Sequence, residues 1–229
     1  MASVFSFECG PLPGETRVVG FLGEEAVSTL YRFELWLAVP DASADAVDLD
    51  ALVGLRGTLR AHAADGALRR ATHGVIIEAA WDEGSLLRLT LAPKFWLATL
   101  DRHSKVYVEK SFREVLDATL RAAGLAPGED YVLRLDQRYR PLLHVCQYRE
   151  SHYDFAQRWM EQMGAFYWFE HDGEREKLVV SDVKEHHPRA PGGPARYFAS
   201  GESDRSVPDA LWTFTQRASA VTATSRVLD

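Results

Sequence analysis

QYRESHYDFAQRWMEQMGAFYWFEH, residues 147–171, decides how the rest of the chain is read. Ser151 followed three residues later by Asp154 marks a helix start: the serine oxygen caps a free N–H, and the acid favours the positive end of the helix. Phe155, Trp159 and Met163 recur at steps of four and share one helix face. Gly164 supplies the left-handed residue that commonly ends a helix. Phe166, Tyr167, Trp168 and Phe169 then read as a strand. The spacing predicts a helix over 151–163 docked on an aromatic strand.

Outward from this stretch the chain reads as mainly β with two or more short helices, an α+β class. Residues 4–8, 17–22, 30–39, 58–63, 73–81 and 86–92 form strand patterns. In 30–39, Tyr31, Phe33, Leu35, Leu37 and Val39 share a face. Turns fall at 10–14, Asp65-Gly66 and Glu83-Gly84; residues 41–50 form a small acidic connector, and 51–55 are expected to form a helical turn before Gly57. Several short strands at near-even spacing predict a sandwich or barrel. Pro93 changes the pattern. Residues 95–100 are a short helix or strand, and Ser111 with Glu114 is a second capping box. A helix near 111–123 has Phe112, Val115, Leu116, Thr119 and Leu120 on one face and closes at Gly124. Strands follow at 131–135, 142–148 and 177–182. Residues 186–194 are Pro/Gly-rich loop, and 204–229 holds one or two strands. Two β units result, 1–92 and 93–229, the second expected to be cut short at its C-terminus.

The bulk numbers exclude several classes. The 229 residues carry 26 Lys and Arg against 33 Asp and Glu, a net charge of −7, which opposes broad nucleic-acid binding. Hydrophobic residues make up 46%, enough for a real core. No stretch approaches a membrane span, and the first residues lack the basic start and apolar run of a signal peptide. Cys9 and Cys146 are read as two reduced thiols rather than a pair.

Chemistry is sparse. No histidine pair has zinc-helix spacing, and no HExxH, GxSxG or P-loop occurs, so no metal, cofactor or catalytic residue is assigned. His186-His187 sit in a loop. Glu150 and Asp154 stand where acids favour a helix start, with Arg149 and Arg158 to neutralise them. His171 beside Asp172-Gly173 ends a strand at a turn. Two enzyme or ligand readings stay open: a hydrolase using Glu150, Asp154 or His171, and a carbohydrate-binding β module stacking sugars on residues 166–169.

The order of residues in 147–171 closely resembles the signature of the VgrG family, the tip proteins of type VI secretion. The resemblance rests on Gln147, Tyr148, Arg149, Glu150, Ser151, Asp154, Phe155, Glu161, Gly164, Phe166, Phe169, Glu170 and His171. Landmarks agree in order: Pro13-Gly14-Glu15, Gly23-Glu24, Phe33-Glu34-Leu35, Gly54, His73-Gly74, Leu91-Ala92-Pro93 and Trp96-Leu97. His152-Tyr153, Trp159-Met160, Gln162-Met163 and Ala165 depart from the usual pattern but keep its polarity, and beyond about Ser200 the match fades. The resemblance implies two β-barrel-like hub domains as in contractile phage tail hubs, forming a homotrimeric ring that caps an Hcp-like hexameric tube. It implies effector or spike-tip partners reached through a C-terminal region outside these residues. It further implies cytoplasmic assembly followed by secretion through the type VI machine without a signal peptide, no nucleic acid, no stable membrane insertion, and a mechanical rather than enzymatic role. A phage tail baseplate hub is the nearest variant.

Overall fold

Alternation of the kind seen in 30–39 becomes a curled sheet. The computed structural model of the chain describes residues 4–63, 65–82, 86–189, 196–197, 210–211, 215–216 and 218. These divide into two units, Met1–His187 and Pro188–Asp229.

The first unit begins with β1 (Phe5–Glu8), β2 (Arg17–Glu24), β3 (Arg32–Ala38), β4 (Arg56–His62), β5 (Leu68–Trp81) and β6 (Leu86–Ala92), paired antiparallel in the order β1-β4-β5-β6-β3-β2. The two end strands come back together: the rings of Phe5 in β1 and Phe21 in β2 meet edge to face, 5.1 Å apart. The sheet therefore curls into a barrel whose seam is closed by side chains. Its interior is filled by the alternating residues of β3, β5 and β6, with Leu35, Leu37, Ile76, Leu87, Leu89 and Leu91 fully buried. Gly74 lies where a Cβ would sit 2.5 Å from the Ala92 carbonyl oxygen, so the β5–β6 end closes only around a residue without a side chain.

The acidic connector is more ordered than its composition predicts. It forms two one-turn helices, α1 (Asp41–Ala44) and α2 (Leu49–Leu52), the second capped by Asp48, which accepts from the Asp50 and Ala51 N–H groups. Strand β5 also begins earlier than the predicted 73. Residues 68–70 are exposed, so no inside-outside alternation announces them, and pairing with β4 alone makes them strand. The Glu83-Gly84 turn lies outside the described residues.

After Pro93 a 3-10 turn (Lys94–Thr99) buries Phe95 and Ala98. Then come β7 (Arg102–Lys110), α3 (Phe112–Ala122), β8 (Tyr131–Arg134), β9 (Leu142–Ser151), α4 (His152–Gln162), β10 (Phe166–Glu170), β11 (Lys177–Ser181) and a 3-10 turn at Lys184–His186. Strands β7 and β9 pair as an antiparallel ribbon. Strand β11 lies between antiparallel β10 and parallel β8. Ser111 and Glu114 form the predicted capping box on α3. The second core gathers Phe95, Phe112, Leu120, Phe155, Tyr167 and Val180 between helices and strands. The free side of β8 is covered by Arg113, which donates to the carbonyls of Leu133 (3.3 Å) and Leu135 (2.6 Å).

In the second unit, β12 (Arg196–Tyr197) pairs parallel with β13 (Ala210–Leu211). The rest of the strand pattern in 204–229 lies outside the described residues. Both cysteines are free, Cys9 buried and Cys146 exposed. Among the described residues no helix is long and apolar enough to cross a membrane.

Candidate functional site

The structure distributes the signature of 147–171 over three places instead of gathering it into a cleft. The first is the entry to α4. Tyr148 and Arg149 bulge from β9 opposite Ser104, where the β7–β9 register shifts. Arg149 has a left-handed backbone, φ +50°; its N–H donates to Ser104 Oγ at 3.2 Å, and its carbonyl accepts from Arg102 at 3.2 Å. Its guanidinium lies over the exposed Tyr148 ring. The bulge turns the strand into the helix, where Ser151 Oγ accepts from the Asp154 N–H (3.0 Å) and donates to Asp154 Oδ2 (2.8 Å). Glu150 is taken by Arg158 of the second turn of α4 at 2.5 Å. One turn into α4, Phe155 is fully buried and stacks on Tyr107 of β7.

The second place is the exit from α4. Glu161 accepts from Gln157 at 2.8 Å, and Gly164 takes φ +70° with its N–H on the Glu161 carbonyl. This aims β10 back across the helix.

The third place is where β10 meets the barrel. Phe169 packs edge to face on Tyr31 at 5.0 Å and touches both cores. Next to it, His171 Nδ1 accepts the backbone N–H of His73 (3.1 Å), and the Tyr31 hydroxyl donates to the His73 carbonyl (2.5 Å). Burial first, then the charge of Arg70 and of His73, pushes the His171 imidazole down to about 4. Glu170 turns the other way and holds Arg134 through two oxygens, 3.0 and 3.3 Å.

Sequence reasoning missed a second contact at this joint. Asp130 and Glu176 are buried carboxylates far apart in the chain. Arg56 of β4 reaches both, at 3.4 Å to Asp130 and 3.2 Å to Glu176, while Lys94 Nζ sits 2.6 Å from Asp130 and the Lys94 N–H donates to Glu176. Burial alone would raise the Asp130 carboxyl; hydrogen bonds from Lys94 and the Ala126 N–H, with the charges of Lys94 and Arg56, outweigh it and hold it below the usual carboxylate range. No local pattern marks these four residues, because each lies in a separate loop or strand. A second edge is pinned by Ser28, whose N–H donates to the Tyr167 carbonyl at 2.8 Å.

Chemically, this arrangement joins parts of the fold to one another. Glu150, Asp154 and His171 each have a partner and do not converge. Tyr167 and Trp168 are buried, and Phe166 stacks on Trp168, so residues 166–169 offer no open aromatic platform. Ser181, His186 and Asp136 do lie in a line, 2.8 and 3.4 Å apart, but Ser181 is fully buried and its oxygen also accepts the Val183 N–H. No group of three or more His, Cys, Asp or Glu suited to a metal is present among the described residues.

A curled barrel joined in this way to a helix-backed sheet has relatives. The family model described as the phage tail baseplate hub matches residues 24–229. The chain belongs to the phage tail baseplate hub family. Among curated proteins, this hub chain is 32% identical over 165 residues to the type VI secretion system spike protein VgrG1c of Pseudomonas aeruginosa, covering 70% of the chain and 22% of that protein. It is 32% identical over 175 residues to VgrG1a of the same organism, covering 75% and 26%. The hub chain thus spans about a quarter of the length of these relatives. Among solved structures, the E. coli c3393 protein, a type VI secretion component similar to the phage T4 tail proteins gp27 and gp5, superposes with a TM-score of 0.71 at 21% identity, over 88% of this chain and 53% of that one. That likeness establishes the hub fold.

Proposed function

We propose that this chain is the N-terminal hub region of a type VI secretion tip: a non-enzymatic part that assembles as a homotrimeric ring, seats on the end of an Hcp-like hexameric tube, and carries the puncturing spike and its effectors through regions outside these residues. The observation that carries the reading is the fate of the signature. Its polar side chains are spent on turning one strand into a helix and fastening two cores, which is what a part under axial load requires. Similarity to spike proteins supports the same conclusion.

On this reading the chain divides near Ala92 into two hub modules, 1–92 and 93–229, and Tyr148, Arg149, Glu150, Ser151, Asp154, Phe155, Glu161, Gly164, Phe169, Glu170 and His171 act as structural positions. Assembly takes place in the cytoplasm, and export follows through the machine itself. Light scattering of the purified chain over a range of concentrations, with negative-stain images, tests it: a trimer with a central hole supports the ring. Failure of a spike gene with Asp130 and Glu176 both changed to alanine to restore tube-protein secretion in a spike-deficient bacterium supports the mechanical role. Full secretion by that variant contradicts it. A phage tail hub is the second reading, carried by the family match; genes for a capsid beside this one, in place of secretion genes, would favour it.

A further inference from the structure

The net charge of −7 is unevenly distributed, and the imbalance has a direction. Residues 41–50 carry Asp41, Asp45, Asp48 and Asp50 with no lysine or arginine, and none of the four has an ion-pair partner among the described residues. The ribbon β7–β9 and the loop leading into it lean the other way: Arg102, Lys105, Lys110, Arg138, Arg140 and Arg149 stand against Asp136, Glu109 and Glu150. Arg138 and Arg140 are exposed there, likewise without an ion-pair partner among the described residues, with Arg102 and Lys105 exposed on the same ribbon. Lys105 lies on the Tyr107 side of the ribbon, its ammonium 4.8 Å from the centroid of that ring, and the opposite, outer face carries apolar side chains. Tyr107 and Val145, paired in register, point into the core; the adjacent pairs Val106–Cys146 and Val108–His144 therefore point out, leaving Val106, Val108 and Tyr148 49%, 56% and 66% exposed.

Exposed valine and tyrosine on one ribbon face, with unpaired arginines in the loop that enters the ribbon, have the make-up of an interface rather than of a solvated face. The complementary acidic surface is present in the same chain, yet the two segments form no ion pair within it. We infer that the outer face of the β7–β9 ribbon binds the 41–50 segment of a second copy of this chain, head to tail. Because donor and acceptor patches differ, the contact is heterologous, and each copy that binds leaves one patch of each kind open until a ring closes. Arg138 and Arg140 select the register against the aspartates, and the valines and Tyr148 supply the water-excluding centre. The inference rests on the ring proposed above and specifies which surfaces build it.

Charge exchange tests it. Sedimentation equilibrium of the 229-residue chain is compared at about 0.05 M and about 0.5 M salt, across which surface pairs lose most of their reach. The wild type is expected to associate, at least about tenfold more weakly at high salt. R138E/R140E and D41K/D45K should each lower association at least about tenfold with an unchanged melting temperature, and the four-residue exchange should restore it to within about threefold. The milder pair R138Q/R140Q replaces R138E/R140E if the latter melts early. Association untouched by either reversal, no recovery in the exchange, or a wild type that stays monomeric at low salt overturns the ribbon contact. A trimer that ignores the reversals leaves the hub function standing without this interface; a charge-restored dimer or tetramer keeps the contact and refutes the trimer.

Discussion

Arg149 is one of three described non-glycine residues, with Ser28 and Glu109, whose backbone is left-handed. A long side chain sits at φ +50°, a conformation that costs an L-residue about 1–2 kcal/mol, and its backbone is held there by β7: its N–H donates to Ser104 Oγ and its carbonyl accepts from Arg102. Arg149→Val should lower stability by about 1–2 kcal/mol, because a β-branched residue resists that conformation most. Arg149→Gly should lose far less. Equal urea midpoints for the two variants would mean that the bulge is not strained. Two residues on, the Ser151 hydroxyl both accepts from and donates to Asp154. Ser151→Ala should cost about 1 kcal/mol through the lost cap, read as a lower midpoint with an unchanged slope. The cap was legible in the sequence because its partners are three residues apart. The strain at Arg149 was not, because nothing in an arginine announces a left-handed backbone.

At the scale of elements, α3 and α4 lie close to the boundaries their caps and glycines predict, and β3 buries the face its alternation marks. Elements without local periodicity were harder to read: the 3-10 turn at Lys94–Thr99, the protruding start of β5 and the one-turn helix Asp41–Ala44, while the helical turn expected over 51–55 lies a little earlier, at Leu49–Leu52. What holds elements to one another was not legible at all. Asp130 takes Lys94, Arg56 and the Ala126 N–H together. Asp130→Ala should therefore destabilise by about 2–3 kcal/mol; Lys94 and Arg56 are partly exposed and regain water, which keeps the loss below that of a fully buried pair. Calorimetry showing no change would remove the joint from the account of the fold.

For the whole molecule, the joint makes stability depend on pH. His171 accepts a backbone N–H on Nδ1, so a second proton on its ring must displace that bond. Its folded value, about 4, lies below the ordinary 6.5, so the unfolded chain binds more protons between the two. Stability should accordingly fall as pH drops from about 6.5 towards about 4 and level off below. The depressed Asp130 carboxyl adds a further loss at lower pH, as it takes up its proton. His171→Gln keeps an acceptor for the His73 N–H without a titrating ring, and its melting temperature should slope less over that interval. Identical slopes in the two proteins would show that the histidine does not report on the joint.

The sequence by itself determined the things that depend on near neighbours. Helix caps, glycine stops, the alternation of 31–39 and the ordered run from Gln147 to His171 are short-range facts, and they suffice for class, element order and family resemblance. The tertiary structure decided closure and attachment: that β1 and β2 meet through Phe5 and Phe21, that Arg56 and Lys94 neutralise Asp130 and Glu176, and that His171 reaches His73. Those contacts join residues from 16 positions apart (Phe5 and Phe21) to 120 apart (Arg56 and Glu176), and their strength comes from burial that no single segment possesses until the others have folded around it.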